Sequence, residues 1–163
     1  MKGDPITEPR HKLARFARRG AIDTDANGEF YITGAAFQWR KVDPNDFGLS
    51  VNWLDFFSGN PEAQVDAVRA VMHMTSNASD RLALLEVGAT TEFLAKASQI
   101  AIAVLLDPTQ PRPPRYPNED PSHAVIAGLP DSNVDPINAD VVGDLIADNC
   151  VVASILARAP KPA

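Results

Sequence analysis

The sequence predicts an α/β or α+β fold, in which a mixed, twisted sheet is packed by two main helices within a single domain. Short apolar runs alternate with two segments of helical periodicity. Fourteen prolines are too many for a helical bundle and indicate shaped loops between short elements. A chain of 163 residues has the size of one domain and can bury a sizeable core.

The basic opening segment, residues 1–20, holds six lysines and arginines against two acidic residues. We predict a short helix here, because Pro9 suits a first helical turn and Gly20 can end the helix. Leu13 and Phe16, three residues apart, would anchor it to the body. Three arginines near its end would lie where the helix dipole favours cations: Arg15, Arg18 and Arg19.

The middle of the chain predicts strands around one clear helix. Residues 30–39 are rich in aromatic and branched side chains and predict a strand, and residues 49–57 predict a strand or an aromatic-rich loop. Asn60-Pro61 begins the first main helix, which is predicted to span about 61–77. His73 would lie on its polar face.

Further strands are predicted at 81–88, 100–107 and 123–129, with a short helix after the first of them. Residues 100–107 are the most apolar run and fit a strand covered on both faces. Between the last two strands, residues 107–121 form a proline-rich loop.

The second main helix is predicted to span about 136–159, with Asp135-Pro136 as its cap and a short tail at 160–163. Six apolar residues would form its core stripe: Ile137, Val141, Leu145, Val152, Ile155 and Leu156. Beside the stripe, an acidic ridge repeats every four residues: Asp140, Asp144 and Asp148. Like charges at this spacing repel. The ridge is either a solvated face or the contact site of a cationic partner.

His123 is the main candidate for chemistry. A neighbouring carboxylate, Asp120 or Glu119, could orient its imidazole as a general base. Ser122 and His123 are adjacent, however, and adjacent strand residues point to opposite faces, so they make a poor dyad. In the architectural interpretation, His123 begins a strand and holds the preceding loop through a ring nitrogen.

Other functions are restricted by composition. A net charge of −6 opposes nucleic-acid binding as the main role, since cations cluster only in the opening segment. Three histidines without metal-ligand spacing and one cysteine predict neither a metal site nor a cofactor. The opening lacks the apolar core of a signal peptide, and no apolar run reaches the ~20 residues that span a bilayer. We therefore expect a cytoplasmic protein.

Several stretches, among them LSVNW and PSHAVIAGLP, resemble a group of small bacterial proteins described only as hypothetical. The resemblance covers about residues 3–157 and implies no activity, cofactor or fold. It does imply that the opening segment is part of the fold.

Taken together, these features predict a non-enzymatic bacterial protein-interaction module, such as a regulator or neutralising partner of a neighbouring gene product. Its binding residues would come from the acidic ridge and from Arg15, Arg18 and Arg19, with Trp53 and His123 as anchors, and its partner would be another protein or a second copy. The alternative is a small hydrolase or nuclease-like enzyme. It would use His123 as general base, Asp120 or Glu119 to orient it, and an arginine of the opening segment to neutralise developing charge.

Overall fold

The structure is a computed structural model that describes residues 1–72, 77–114 and 116–159. Its strands are β1 (Lys12–Ala17), β2 (Ile22–Thr24), β3 (Phe30–Ile32), β4 (Leu49–Trp53), β5 (Arg81–Glu86), β6 (Ala103–Leu106), β7 (His123–Ala127) and β8 (Val151–Leu156). Its helices are α1 (Pro61–Met72), α2 (Val87–Ser98) and α3 (Pro136–Asn149). A short 3-10 turn, Gly34–Phe37, also contributes to the core.

Six strands form the main sheet in the order β6-β7-β4-β1-β5-β8, and every neighbouring pair is antiparallel. β2 and β3 form a separate hairpin. The predicted fold class is confirmed in its α+β form, as helices packed on a sheet within a single domain.

Helices cover both faces of the sheet, and each face has its own apolar core. On one face, Leu13, Leu85 and Ile126 of the strands pack with residues of α2, α3 and the 34–37 turn. On the other face, Leu82 and Leu84 pack with Val65 and Val68 of α1. Each fully buried Leu or Ile contributes roughly 1.5–3 kcal/mol, so both layers hold the sheet.

The helix predicted within residues 1–20 is wrong. β1 occupies this segment and lies in the middle of the sheet, between β4 and β5. Its side chains alternate, with Leu13 and Ala17 in one core and Ala14 in the other. The opening segment is thus part of the fold, as a strand whose two faces are both covered.

The helix predicted at 136–159 is also wrong in its second half. α3 ends at Asn149, and β8 follows after one residue, Cys150. The predicted cap is confirmed, because the Asp135 carboxylate accepts a hydrogen bond from the Asn138 N–H at 3.2 Å. Residues 160–163, the predicted tail, lie outside the described residues.

Three smaller predictions need adjustment. α1 begins at Pro61 as expected and is described to Met72, while His73 and the rest of 73–76 lie outside the described residues. The strand predicted at 30–39 is confined to β3, and the 34–37 turn replaces its second half. β6 is an edge strand with one exposed and one buried residue at its start, rather than a strand covered on both faces.

Candidate interaction surface

His123 begins β7 and contacts the preceding loop. Its Nδ1 lies 2.7 Å from the Asp107 backbone oxygen and 3.4 Å from the Asp107 carboxylate. Both are acceptors, so Nδ1 carries a proton and donates it to them. Asp107 in turn lies 3.4 Å from the Lys2 ammonium group. His123 therefore joins the start of β7 to the end of β6 and to the opening segment, as the architectural interpretation expects.

Neither predicted carboxylate orients His123. Asp120 is buried, and its two oxygens accept hydrogen bonds from Asn52 at 2.6 Å and from the Ser122 hydroxyl at 2.7 Å. Asn52 also donates to the Ser122 hydroxyl, so the three side chains form a closed network between β4 and the start of β7. Glu119 is exposed. The carboxylate beside His123 is Asp107, which the sequence interpretation missed because it lies sixteen residues away.

Arg15 lies on the opposite face of the sheet from His123. In the sheet register His123 pairs with Asn52 and Asn52 pairs with Ala14, so these residues share a face. Arg15, the next residue of β1, points to the other face. Its guanidinium donates to the Ala36 oxygen at 2.7 Å and to the Ser50 oxygen at 2.9 Å.

Arg15 ties the 34–37 turn to the sheet rather than lining a cleft. Burial desolvates its guanidinium and, with a smaller contribution from Arg18, lowers the pKa of Arg15 to about 10. Arg18 lies over the Phe16 ring, 5.7 Å from its centre, and Arg19 begins an exposed turn. The three arginines and the α3 ridge form no ion pair within the described part of the chain.

Trp53, the expected aromatic anchor, is half-buried at the end of β4. Its indole N–H donates to His11 Nδ1 at 3.1 Å, and its ring lies 5.6 Å from the His11 ring. The Phe56 ring lies 6.1 Å from the Trp53 ring, measured between ring centres. These contacts engage the indole N–H and part of the ring with residues of the same chain.

The outward side of α3 carries an exposed apolar stripe. Ile137 and Val141 were predicted to be core but are 80% and 52% exposed, and Val134 just before the helix is 81% exposed. The inward side consists of smaller residues and two branched ones: Ala139, Val142, Gly143 and Ile146. Gly143 explains why this side of α3 faces the core. A Cβ at this position would lie 2.5 Å from the Gly34 oxygen, so only glycine allows so close an approach. α3 therefore packs against the 34–37 turn with the side that carries its small residues.

The acidic ridge lies beside this stripe and is exposed. Asp140 accepts a hydrogen bond from the Gln38 amide at 2.8 Å, and Asp144 lies against Gly34. Asp148 is exposed near the end of the helix. Three carboxylates thus flank the exposed side chains of Ile137 and Val141. We call this combined area the α3 outer surface: Ile137, Val141, Asp140, Asp144 and Asp148.

The β6 edge of the sheet is covered by the opening segment. Leu106 accepts a hydrogen bond from the Gly3 N–H at 2.7 Å and donates its own to the Asp4 oxygen at 2.9 Å. Ile6 donates to the Val104 oxygen at 2.8 Å and buries its side chain. Residues 3–6 therefore act as a further strand-like cover, which pairs three outward backbone groups of β6.

The opposite edge, β8, has no such cover among residues 1–72, 77–114 and 116–159. Its neighbour is β5 alone, and its six residues include no charge and no proline. At the far end, the Leu156 oxygen accepts two hydrogen bonds from Arg69, at 2.7 and 3.2 Å. The sequence interpretation missed this edge because it assigned these residues to a helix, although Val151, Val152 and Ile155 are strand-favouring residues.

Other features offer less to a ligand. An apolar groove of about 380 Å³ lies between the opening segment and α2, and the only charged residue in its lining, Glu92, is paired with Lys96 at 2.7 Å. The described residues contain no cluster of three or more metal-ligating side chains. Within the same ranges, no helix has the length and apolarity that crossing a membrane requires.

No protein-family model, no curated protein and no solved structure matches this chain.

Proposed function

We propose that this protein is a non-enzymatic interaction module that binds a partner protein through the α3 outer surface. The observation that carries the proposal is the exposure of Ile137 and Val141 beside Asp140, Asp144 and Asp148. Apolar side chains on the outward face of a helix, bordered by charged side chains of one sign, are typical of a surface that becomes buried in a complex.

The chemistry of the surface suggests the chemistry of the partner. Three carboxylates spaced four residues apart repel one another, and a cationic group placed between them relieves that repulsion. Ile137 and Val141 would gain by burial against apolar side chains. The partner we propose therefore presents lysine or arginine residues next to an apolar stripe, as an amphipathic basic helix does.

A second copy of the chain is a poor partner for this surface. Two α3 outer surfaces facing each other would bring six aspartates together, and like charges across an interface cost several kcal/mol. We therefore propose a different protein as the partner. A regulator or neutralising protein that acts on a neighbouring gene product in a bacterial cytoplasm fits this role. The buried free thiol of Cys150 is compatible with such a reducing compartment.

We favour this function over a small hydrolase or nuclease-like enzyme. That alternative needs His123, a carboxylate and an arginine of the opening segment in one cleft. Here Arg15 and His123 point to opposite faces of the sheet, and Asp120 is engaged by Asn52 and Ser122. A general base also needs access to the proton that it removes, and the apolar groove beside α2 is lined by neither His123 nor Asp120 nor Arg15.

A matched pair of lysine substitutions tests the proposal. Ile137→Lys places a cation on the α3 outer surface. Val42→Lys alters a similarly exposed apolar residue, 75% exposed, in a loop that contacts residues 131–133 but contributes no residue to that surface. With each variant as bait in lysate of the source organism, we expect Ile137→Lys to recover at least about tenfold less of a stoichiometric partner, because central apolar contacts dominate binding energy. Val42→Lys should recover it as the parent does.

Both substitutions are at exposed positions, so each should change the free energy of unfolding by less than about 0.5 kcal/mol. Urea titrations check this. If the parent protein recovers no stoichiometric partner, or if Ile137→Lys recovers as much of it as Val42→Lys does, the proposed function is wrong.

A further inference from the structure

The edge of β8 that faces away from β5 carries backbone groups that no residue of 1–72, 77–114 or 116–159 pairs. The Ala157 N–H donates to the Asp80 oxygen at 3.0 Å, which makes these two residues a hydrogen-bonded pair of the β5–β8 ladder. Bonded pairs alternate along an antiparallel ladder, so the N–H groups of Ser154 and Leu156 and the oxygen of Ser154 point away from β5. No described residue hydrogen-bonds to these three groups.

The side chains of β8 do not protect this edge. Natural edge strands are usually protected by lysine, proline, a bulge or a covering segment. β8 has a register shift opposite Leu84 and Leu85, which disturbs only its start and leaves residues 153–156 regular. No residue of β8 carries a charge, and two of its apolar side chains are exposed, Val152 at 50% and Leu156 at 36%.

Charge around β8 favours one orientation of an added strand. Glu86 lies near its start and Arg81 near its end, because β5 pairs with β8 from Leu85–Val151 to Arg81–Leu156. Arg69 also lies near the end, where Asp66 balances its charge at 2.9 Å. An identical strand added in antiparallel orientation places the acidic start of one copy beside the basic end of the other. A parallel addition would place like charges together.

We propose that two copies of this chain associate through β8, in antiparallel orientation, to form one continuous sheet. The two-fold axis lies close to Ser154, so that each Ser154 N–H donates to the partner's Ser154 oxygen, as in a hydrogen-bonded antiparallel pair. Val152 and Leu156 of both copies become buried beside this pair. This dimer leaves the α3 outer surface to a different partner, so it goes beyond the proposed function and does not depend on it.

Sedimentation velocity of the full chain tests the proposal over concentrations from about 1 μM to about 1 mM, the range of moderate affinities. We expect a monomer–dimer equilibrium in the parent protein. Ser154→Lys should weaken the dimer by at least about tenfold, because it brings two ammonium groups to the axis. The matched control, Ala103→Lys, adds the same charge to an exposed position of the covered strand β6 and should leave the equilibrium unchanged.

A second variant guards against misfolding. Ser154→Pro removes the outward N–H without touching the ladder to β5, which is where edge strands tolerate proline, and it should also weaken the dimer. Circular dichroism and thermal unfolding check that each variant folds. The proposal is overturned if the parent protein stays monomeric throughout, as it would if β8 received a strand from another protein. It is equally overturned if folded Ser154→Lys or Ser154→Pro dimerises as Ala103→Lys does.

Discussion

β6 and β8 form the two edges of the same sheet, and the chain completes them differently. At β6, residues 3–6 bond to the outer backbone groups and bury Ile6. At β8, only Arg69 reaches the edge, at the Leu156 oxygen, within the ranges that the structure describes. One edge is thus closed within the chain, and the other keeps the capacity to pair.

The difference indicates where this protein can associate without losing its fold. Covering an edge with a segment of the same chain costs only the ordering of a few residues, and it removes a site for unwanted pairing. An uncovered edge strand remains able to form hydrogen bonds with a strand of another molecule. The α3 outer surface carries three carboxylates, whereas the residues of β8 itself are uncharged, so the two surfaces suit two different partners.

The largest effect is expected from uncovering the closed edge. Deletion of residues 1–6 removes the buried side chain of Ile6 and three hydrogen bonds to β6. We expect the free energy of unfolding to fall by about 2–4 kcal/mol. We also expect assemblies larger than a dimer, because both edges would then be open. Urea unfolding and light scattering measure the two effects.

Deletion of residues 1 and 2 is the control, since it keeps every backbone bond between residues 3–6 and β6. It should change stability little and leave the size of the particle as it is. Equal assembly sizes for the two deletions would mean that residues 3–6 do not protect β6.

A smaller effect is expected at the end of β8. Arg69→Met keeps most of the side-chain length but removes both hydrogen bonds to the Leu156 oxygen and the contact with Asp66 at 2.9 Å. We expect a loss of about 1 kcal/mol in the free energy of unfolding. Unfolding in urea measures this loss, and an unchanged free energy of unfolding would contradict the account.

The sequence predicted the fold class because the residues within and next to most apolar runs identify each run as a strand or a helix. Residues 81–86 and 123–127 are short, mainly apolar runs, each preceded by a turn, and both are strands. Asp135-Pro136 predicted the start of α3 because capping depends on neighbouring residues alone. Such local signals do not set strand order, which depends on contacts between distant residues.

The opening segment was mispredicted because of Arg15. An arginine on an inward-facing position breaks the apolar alternation that identifies a central strand. It is accommodated because the Ala36 and Ser50 oxygens accept its hydrogen bonds, and these residues lie 21 and 35 positions away. Pro9 and the basic residues around it then favoured a helix in the sequence interpretation.

The last helix was mispredicted because neither Gly nor Pro separates α3 from β8. The interpretation also placed Ile137 and Val141 inside, since a helix usually buries its largest apolar residues. In the structure the opposite side of α3 is buried, because Gly143 lets the helix lie close to Gly34 on the side with small residues. The two surfaces proposed for association, the α3 outer surface and the β8 edge, therefore lie where local patterns were most misleading.

Amide hydrogen exchange at individual residues tests the difference between the edges most directly. The Leu106 N–H, bonded to the Asp4 oxygen, should be protected equally at all protein concentrations. The Ser154 N–H should exchange rapidly in dilute solution and become protected as concentration rises, because a second copy then covers it. If Ser154 is as protected in dilute as in concentrated solution, or exchanges rapidly in both, the open edge does not pair with a second copy and the account is contradicted.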